Sequence, residues 1–262
     1  SNPEMYGRYY ATRDPNDVLD EMQFYIDKYQ IENVNFYDLT TITKKKWILE
    51  FCDLIIKRNM KFSWEITGGT RTEAIDEEVL FKAKQAGCKY LGFAPESGSE
   101  TILEAIKKQV DLKRMYHLFK VATKYGIATK ANFILGFPRE TRWQMYKTLL
   151  LQIKLAFVGV TDSPIYEFVP YPGSEETNYL VRNGVIKMND EYFNSLCTNF
   201  SLKNRKDYCE NVGPMECHFY RVMGMGLYYF TFYLLRPQKL YDFIKNFFGD
   251  EVYNSHFEQR TV

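Results

Sequence analysis

The sequence has little of what usually announces a site. Histidine occurs three times in 262 residues, at His117, His218 and His256, and the three are not clustered, so they give no metal or acid–base signal. Cysteine occurs five times, at Cys52, Cys88, Cys197, Cys209 and Cys217. The number is odd and no pair has CxxC spacing, which argues against a disulfide framework and for a reducing, cytoplasmic setting. Cys209, Cys217 and His218 stand close in the chain, but their spacing matches no standard zinc pattern. GxGxxG, Walker and GxSxG motifs are absent, so nothing points to a Rossmann dinucleotide site, a P-loop or a nucleophile elbow. The net charge is only +1, which gives no global case for nucleic acid or an anionic membrane as partner. The longest apolar run, 223–235, is flanked by Arg221 and Arg236; it is too short to span a bilayer comfortably and reads as a buried or interface helix. No signal peptide is read, and Ser1-Asn2 reads as a cleavage scar or as the start of an excised piece.

What is present is apolar and periodic. Hydrophobic residues make up 45% of the chain and aromatics 17%, the latter concentrated in the last third. Asp14-Pro15 is a helix start, with Val18, Leu19, Met22, Ile26 and Tyr29 at helical spacing. Strands follow at 33–37, 62–67, 88–93, 127–135 and 160–169, with helices between them. Thr43, Asp76, Ser99, Asp111 and Thr141 are the candidate helix starts; Gly87, Gly126 and Gly184 are stops. Apolar runs without strict alternation suit strands covered on both faces. The expected fold is α/β, a parallel sheet with right-handed crossovers, closer to a partial TIM-type (β/α) barrel than to a Rossmann sheet. Residues 1–184 form that unit. Residues 185–262 form a mostly helical, aromatic extension, with a loop over 207–217 and helices over 219–235 and 240–248.

In such folds ligands bind at the carboxyl ends of the strands. Those positions hold Asp38; Thr67, Gly68, Gly69 and Arg71; Glu96 and Ser97; Lys130, Asn132 and Gly136; and Tyr166 and Glu167. Each also has an ordinary structural reading. Asp38 and Thr43 suit a helix cap, Arg71 a solvent pair with Glu73 or Asp76, and Gly68-Gly69 a turn. Glu96 is an acid that a helix dipole favours. Lys130 and Asn132 are polar residues inside an apolar strand, where burial demands a partner. The residues alone thus lead to a barrel-like domain with a polar ligand site at one rim.

Several segments, in this order, resemble the radical SAM superfamily, in particular the branch that often carries a cobalamin-binding domain. They are NVNFYD, TRTEAIDEEVLFKAKQAGC, LGFAPESGSETILEAIKK, NFILGFPRET (compare GFPGET) and EFVPYPGSEE (compare PYPGT). The opening SNPEMYGRYYATRDPNDVLDEM is similar to sequence that follows the family's CxxxCxxC cluster motif. The resemblance covers about residues 1–184. It implies S-adenosylmethionine held by a 4Fe-4S cluster and cleaved by one electron to a 5′-deoxyadenosyl radical, in an oxidoreductase or transferase. It places Glu96 and Ser97 at the ribose or methionine part, with Lys130 and Asn132 lining the same cavity. It places Ile134, Gly136 and Phe137 near the adenine, Val169 and Tyr171 closing that end, and Asp38 at the substrate or cofactor side. Departures are Ala94-Pro95, Arg139 in place of Gly, and the absent cluster cysteines. The resemblance therefore implies a barrel lacking its first strand, a chain unable by itself to cleave S-adenosylmethionine, and cobalamin, if used, in the missing N-terminal region. It also implies an exposed sheet edge at 33–37 that invites a homodimer. The competing expectation is a non-catalytic α/β binding or assembly module. A metal-assisted TIM-barrel hydrolase is disfavoured because no His/Asp ligand set is present.

Overall fold

The computed structural model describes residues 11–38, 40–70, 72–198 and 208–248. The opening SNPEMYGRYY segment, Arg71, Asp207 and His256 lie outside the described residues, as does the side chain of Cys197. Five parallel strands run in sequential order: β1 Asn33–Phe36, β2 Ser63–Ile66, β3 Cys88–Glu96, β4 Ala128–Leu135 and β5 Ile165–Glu167. Around them lie α1 Pro15–Tyr29, α2 Lys45–Lys57, α3 Glu77–Gln85, α4 Glu100–Ala105, α5 Leu112–Lys124, α6 Arg142–Val158 and α7 Glu175–Arg182. The result is an open, partial (β/α) barrel. The last strand is shorter than expected; its early part contributes only an isolated bridge between Asp162 and Lys130.

Local chemistry sets most element ends. Asp14 accepts from Asn16 N–H at 2.8 Å, Asp76 from Val79 N–H at 3.0 Å, and Asp111 from Lys113 N–H at 2.9 Å. Each such cap is worth about 1 kcal/mol. Thr141 opens α6, where Gln144 Oε1 accepts its N–H at 2.8 Å. Two expected caps do not form. Lys44, not Thr43, holds the cap position of α2, and no side chain bonds there. Ser99 holds the cap position of α4, but its own hydroxyl is buried without a partner, while Ser97 Oγ accepts the Ser99 N–H at 3.1 Å. Gly87 ends α3 at φ 90°, and a Cβ there would lie 2.6 Å from Phe62 O.

The two sheet faces differ. Trp64, Ile66, Leu91, Phe93, Ala131, Phe133 and Leu135 point to the helices and are at most 1% exposed. They pack with Leu19, Phe51, Leu80, Phe119 and Met145 in one core. The concave face is polar: Asn35 Oδ1 accepts from Thr67 Oγ1 at 3.2 Å, and Glu65 Oε1 accepts from Asn33 Nδ2 at 3.3 Å. Along β4, buried and half-buried residues alternate strictly, so the expectation of strands covered on both faces does not hold here. The sheet is open, and the inner face meets a cavity instead of a second layer.

The C-terminal segment contains α8 Asp190–Thr198, α9 Pro214–Leu234 and α10 Pro237–Phe248. The expected loop gives way earlier than anticipated, because Pro214 occupies the first helical turn, where its fixed φ and missing N–H cost nothing. Cys217 is therefore helical. Of the aromatics, Tyr220, Tyr228 and Phe232 are buried, whereas Phe219 and Phe230 are exposed. α9 covers the β5 edge. Arg221 Nε donates to Ile165 O at 2.9 Å, Arg236 Nη1 to Ala156 O at 2.9 Å, and Tyr228 OH to Val160 O. Arg142 clamps Glu216 through two bonds of 2.6 Å. At the other edge, β1 has no strand beyond it among the described residues.

This docking requires a glycine. A Cβ on Gly224 would lie 2.4 Å from Leu149 Cδ2 and 2.8 Å from Ile165 Cδ1. Gly224→Val is expected to destabilise the chain by about 1–3 kcal/mol through overpacking. Hydrogen exchange should then speed up in α9 and β5 before the rest of the sheet; unchanged exchange in α9 would refute this packing account.

Candidate functional site

The site is built at the carboxyl ends of β3, β4 and β5. β3 ends in Pro95-Glu96-Ser97, where Ser97 N–H donates to Pro95 O at 2.8 Å and Glu96 has φ 63°. This is a tight three-residue turn with a non-glycine residue in the left-handed region, a conformation that costs energy and concentrates at functional sites. The turn swings the Glu96 side chain to the cavity, where Oε1 accepts from Lys108 Nζ at 2.9 Å. Ser97 holds the turn from beneath. Its fully buried hydroxyl lies 3.2 Å from Thr148 Oγ1 of α6, and Thr148 Oγ1 also accepts the Gly98 N–H at 2.9 Å. The Ser97 side chain thus anchors the turn and leaves only its backbone for a ligand.

The cavity is about 1260 Å³. Glu96, Lys130, Asn132, Ile134, Phe137, Val169 and Tyr171 line it together, as do Thr67 and Gly68 from β2 and Tyr166 and Glu167 from β5. Asn132 Oδ1 is buried and has no hydrogen-bond partner among the described residues, an arrangement that a ligand donor would complete. Gly136 sits one turn away at φ 85°, where its N–H and that of Phe137 donate to Glu140 Oε2 at 2.7 and 3.3 Å. Glu140 therefore shapes the GFPRE turn that presents Phe137. Asp38 lies elsewhere, in a second cavity of about 290 Å³ with Arg13, Thr43 and Trp47.

Sequence reasoning missed three features. Lys108 steadies Glu96 from the segment after α4, and α7 supplies the Asn178 and Arg182 rim. At the foot of the concave face Tyr90 OH donates to Asp162 Oδ2 at 2.6 Å. Burial, reinforced by the Asp162 carboxylate, pushes the Tyr90 phenol far up, so it stays protonated. Only the Lys that ends the IKK run carried a sequence signal for any of these.

Metal ligation finds no support among the described residues: no three His, Cys, Asp or Glu side chains are grouped to hold an ion. Cys52, Cys88, Cys209 and Cys217 are buried free thiols. Burial pushes Cys52 up to about 12 and raises Cys88 further above its ordinary range, so both stay neutral. Cys209 donates to Glu140 O at 3.2 Å, and His218 Nδ1 lies 3.1 Å from Glu167 Oε1, which takes both away from a shared zinc site. The described residues do not fit an iron–sulfur cluster, whereas the cavity, Glu96 and the unpartnered Asn132 oxygen do fit a polar organic cofactor.

Comparison with known proteins places the chain in a family. Residues 1–151 match the model of the radical SAM superfamily. An uncharacterized methyltransferase of Pyrococcus horikoshii is 27% identical over 186 residues, covering 71% of this chain and 39% of that protein. The anaerobic magnesium-protoporphyrin IX monomethyl ester cyclase of Rubrivivax gelatinosus is 29% identical over 147 residues, covering 55% of this chain and 26% of that one. The chain thus spans well under half the length of these relatives. Among solved structures, the radical S-adenosylmethionine methyltransferase TsrM of Kitasatospora setae, with cobalamin and a 4Fe-4S cluster bound, shares the fold. The TM-score is 0.55 at 16% identity, over 68% of this chain and 33% of that one. No helix among the described residues is long and apolar enough to cross a membrane.

The Glu140 carboxyl gives a pH test of the turn. Burial lifts it from 4.5 to about 7, against the opposing pull of the Gly136 and Phe137 N–H groups. The fold therefore prefers the neutral acid. That contribution is complete below about pH 4.5 and is lost as pH rises through about 7. Across this window the wild type should lose on the order of 3 kcal/mol relative to Glu140→Gln. Denaturant titrations at several pH values would show it, and parallel pH curves for the two proteins would contradict it.

Proposed function

The chain belongs to the radical SAM superfamily, and we propose that its cavity holds the organic part of S-adenosylmethionine within a longer radical SAM enzyme. When bound in that whole protein, a 4Fe-4S cluster would supply the electron that cleaves S-adenosylmethionine to a 5′-deoxyadenosyl radical. The cysteines for it would come from the remainder of the protein, as would any cobalamin module. This chain's own task is binding and orientation. Glu96, held out by its strained turn and by Lys108, is the acceptor for ribose hydroxyls or the methionine ammonium. Asn132 offers the unpartnered Oδ1 from the middle of β4. Ile134 and Phe137 supply an apolar slot for the adenine, the Gly136 turn supplies backbone, and Val169 and Tyr171 close that side. Thr148 and Ser97 keep the Glu96 turn in place. The observation that carries this reading is the buried Asn132 oxygen without a partner in the same cavity as Glu96. By itself the chain is proposed to be inactive in cleavage, because no thiolate set is grouped among the described residues. That same observation favours the competing reading, a non-catalytic binding or assembly module.

Calorimetry separates the two. The chain should bind S-adenosylmethionine. Asn132→Ala should weaken binding by about tenfold, the worth of one buried hydrogen bond, and Glu96→Gln by a similar or larger factor. After iron and sulfide reconstitution, the chain alone should yield no 5′-deoxyadenosine, whereas the protein expressed with its preceding residues should. Release of 5′-deoxyadenosine by this chain would refute the inactivity, and full-strength binding by both variants would refute the site.

A further inference from the structure

The cations of the cavity wall are not equivalent. Lys107 pairs with Glu175 at 2.7 Å and Lys108 with Glu96 at 2.9 Å. Arg182 is exposed on the rim and donates Nε to Asn178 O at 3.3 Å. Lys130 is half-buried on the concave face, and among the described residues its side chain makes no hydrogen bond or ion pair. The one carboxylate beside it along the sheet, Asp162, is engaged by Tyr90 OH at 2.6 Å. On the opposite flank Lys130 is in register with Gly92, which presents no side chain and no charge. A partly desolvated ammonium that makes no ion pair or hydrogen bond is unfavourable, and such a group in a cavity is completed by an anion from the ligand.

Its depth matters. With a rise of about 3.3 Å per residue, Lys130 lies about 7 Å below Asn132 and about 13 Å below Ile134 along β4. The groups suited to the cofactor sit at the strand ends above it. The cavity volume of about 1260 Å³ also exceeds the range of about 300–1,000 Å³ usual for one ligand, so there is space for two.

We infer that Lys130 receives an acidic group of the substrate, a carboxylate or a phosphoryl-type anion, and that the substrate lies on the polar concave face beneath the cofactor. This rests on the reading of the upper cavity as the S-adenosylmethionine site, because that reading leaves the lower cavity to the substrate.

The test uses benzoate and phenyl phosphate as probes, with benzamide as the neutral control, titrated by ligand-observed NMR with and without S-adenosylhomocysteine. The acids should bind at least about tenfold more tightly than benzamide. Lys130→Met should remove that preference; Lys130→Arg and Lys107→Met should keep it. Affinity for S-adenosylhomocysteine should stay within about twofold in Lys130→Met. Melting temperatures confirm that each variant is folded, and Lys130→Arg serves if the Met variant is not, since it must retain the preference. The inference is overturned if the acids show no preference at millimolar concentration, or if Lys130→Met leaves the preference intact. It is also overturned if Lys130→Met weakens S-adenosylhomocysteine tenfold but spares 5′-methylthioadenosine, which lacks the carboxylate; Lys130 would then grip the cofactor. A chain that fails to bind S-adenosylhomocysteine yet keeps the Lys130-dependent preference upholds the anion site and removes the cofactor reading.

Discussion

Holding Glu96 in the left-handed region costs a non-glycine residue on the order of 1–3 kcal/mol, and the neighbourhood is arranged to offset it. Ser97 closes the turn with its N–H and anchors it through a buried hydroxyl on Thr148. Gly98 lets the chain lie against α6; a Cβ there would fall 2.4 Å from Lys147 O. Lys108 then fixes the carboxylate from the segment that follows α4. In ESGS the glutamate reaches out, the first serine holds down, the glycine permits close approach and the second serine starts the helix. Without that anchorage the chain would relax Glu96 towards ordinary strand geometry, and its carboxylate would leave the cavity.

The same division of labour runs through the sheet. The helix-facing side of β2, β3 and β4 is largely apolar and buried, which stabilises the fold. The inner side carries Asn33, Asn35, Glu65, Thr67, Lys130 and Asn132, which contribute little to a core and suit a ligand. An open barrel leaves both flanks of such a sheet vulnerable. Here α9 and the turn after it close one of them: Arg221 and Tyr228 of the helix donate to Ile165 O and Val160 O, and Arg236 just beyond it donates to Ala156 O. Glu167 links that helix to the cavity, since it lines the wall while contacting His218 and lying 3.5 Å from Arg221.

Much of this was legible in the residues. Apolar runs, period-3.6 patterns, glycine stops and aspartate caps are local, and they located all five strands. The rule that ligands gather at strand ends brought Glu96, Lys130 and Asn132 together before any coordinates did. What could not be read depends on contacts between distant positions. Ser97 bonds a threonine 51 residues away, so its hydroxyl faced the cavity on sequence grounds and the core in fact. Asp38 follows a strand as expected, but it is exposed and lines a separate cavity beside α1 and α2. The start of α9 was hidden because Gly213-Pro214 reads equally as loop and as helix entry.

The central claim is that the rim formed by Glu96, Asn132 and the GFPRE turn is where S-adenosylmethionine sits. Hydrogen exchange with and without S-adenosylhomocysteine tests this most directly. The account predicts slower exchange at 94–98, 132–137 and 166–171, with 36–47 unchanged. Protection confined to the Asp38–Trp47 cavity, or none at the three strand ends despite measurable binding, would contradict it.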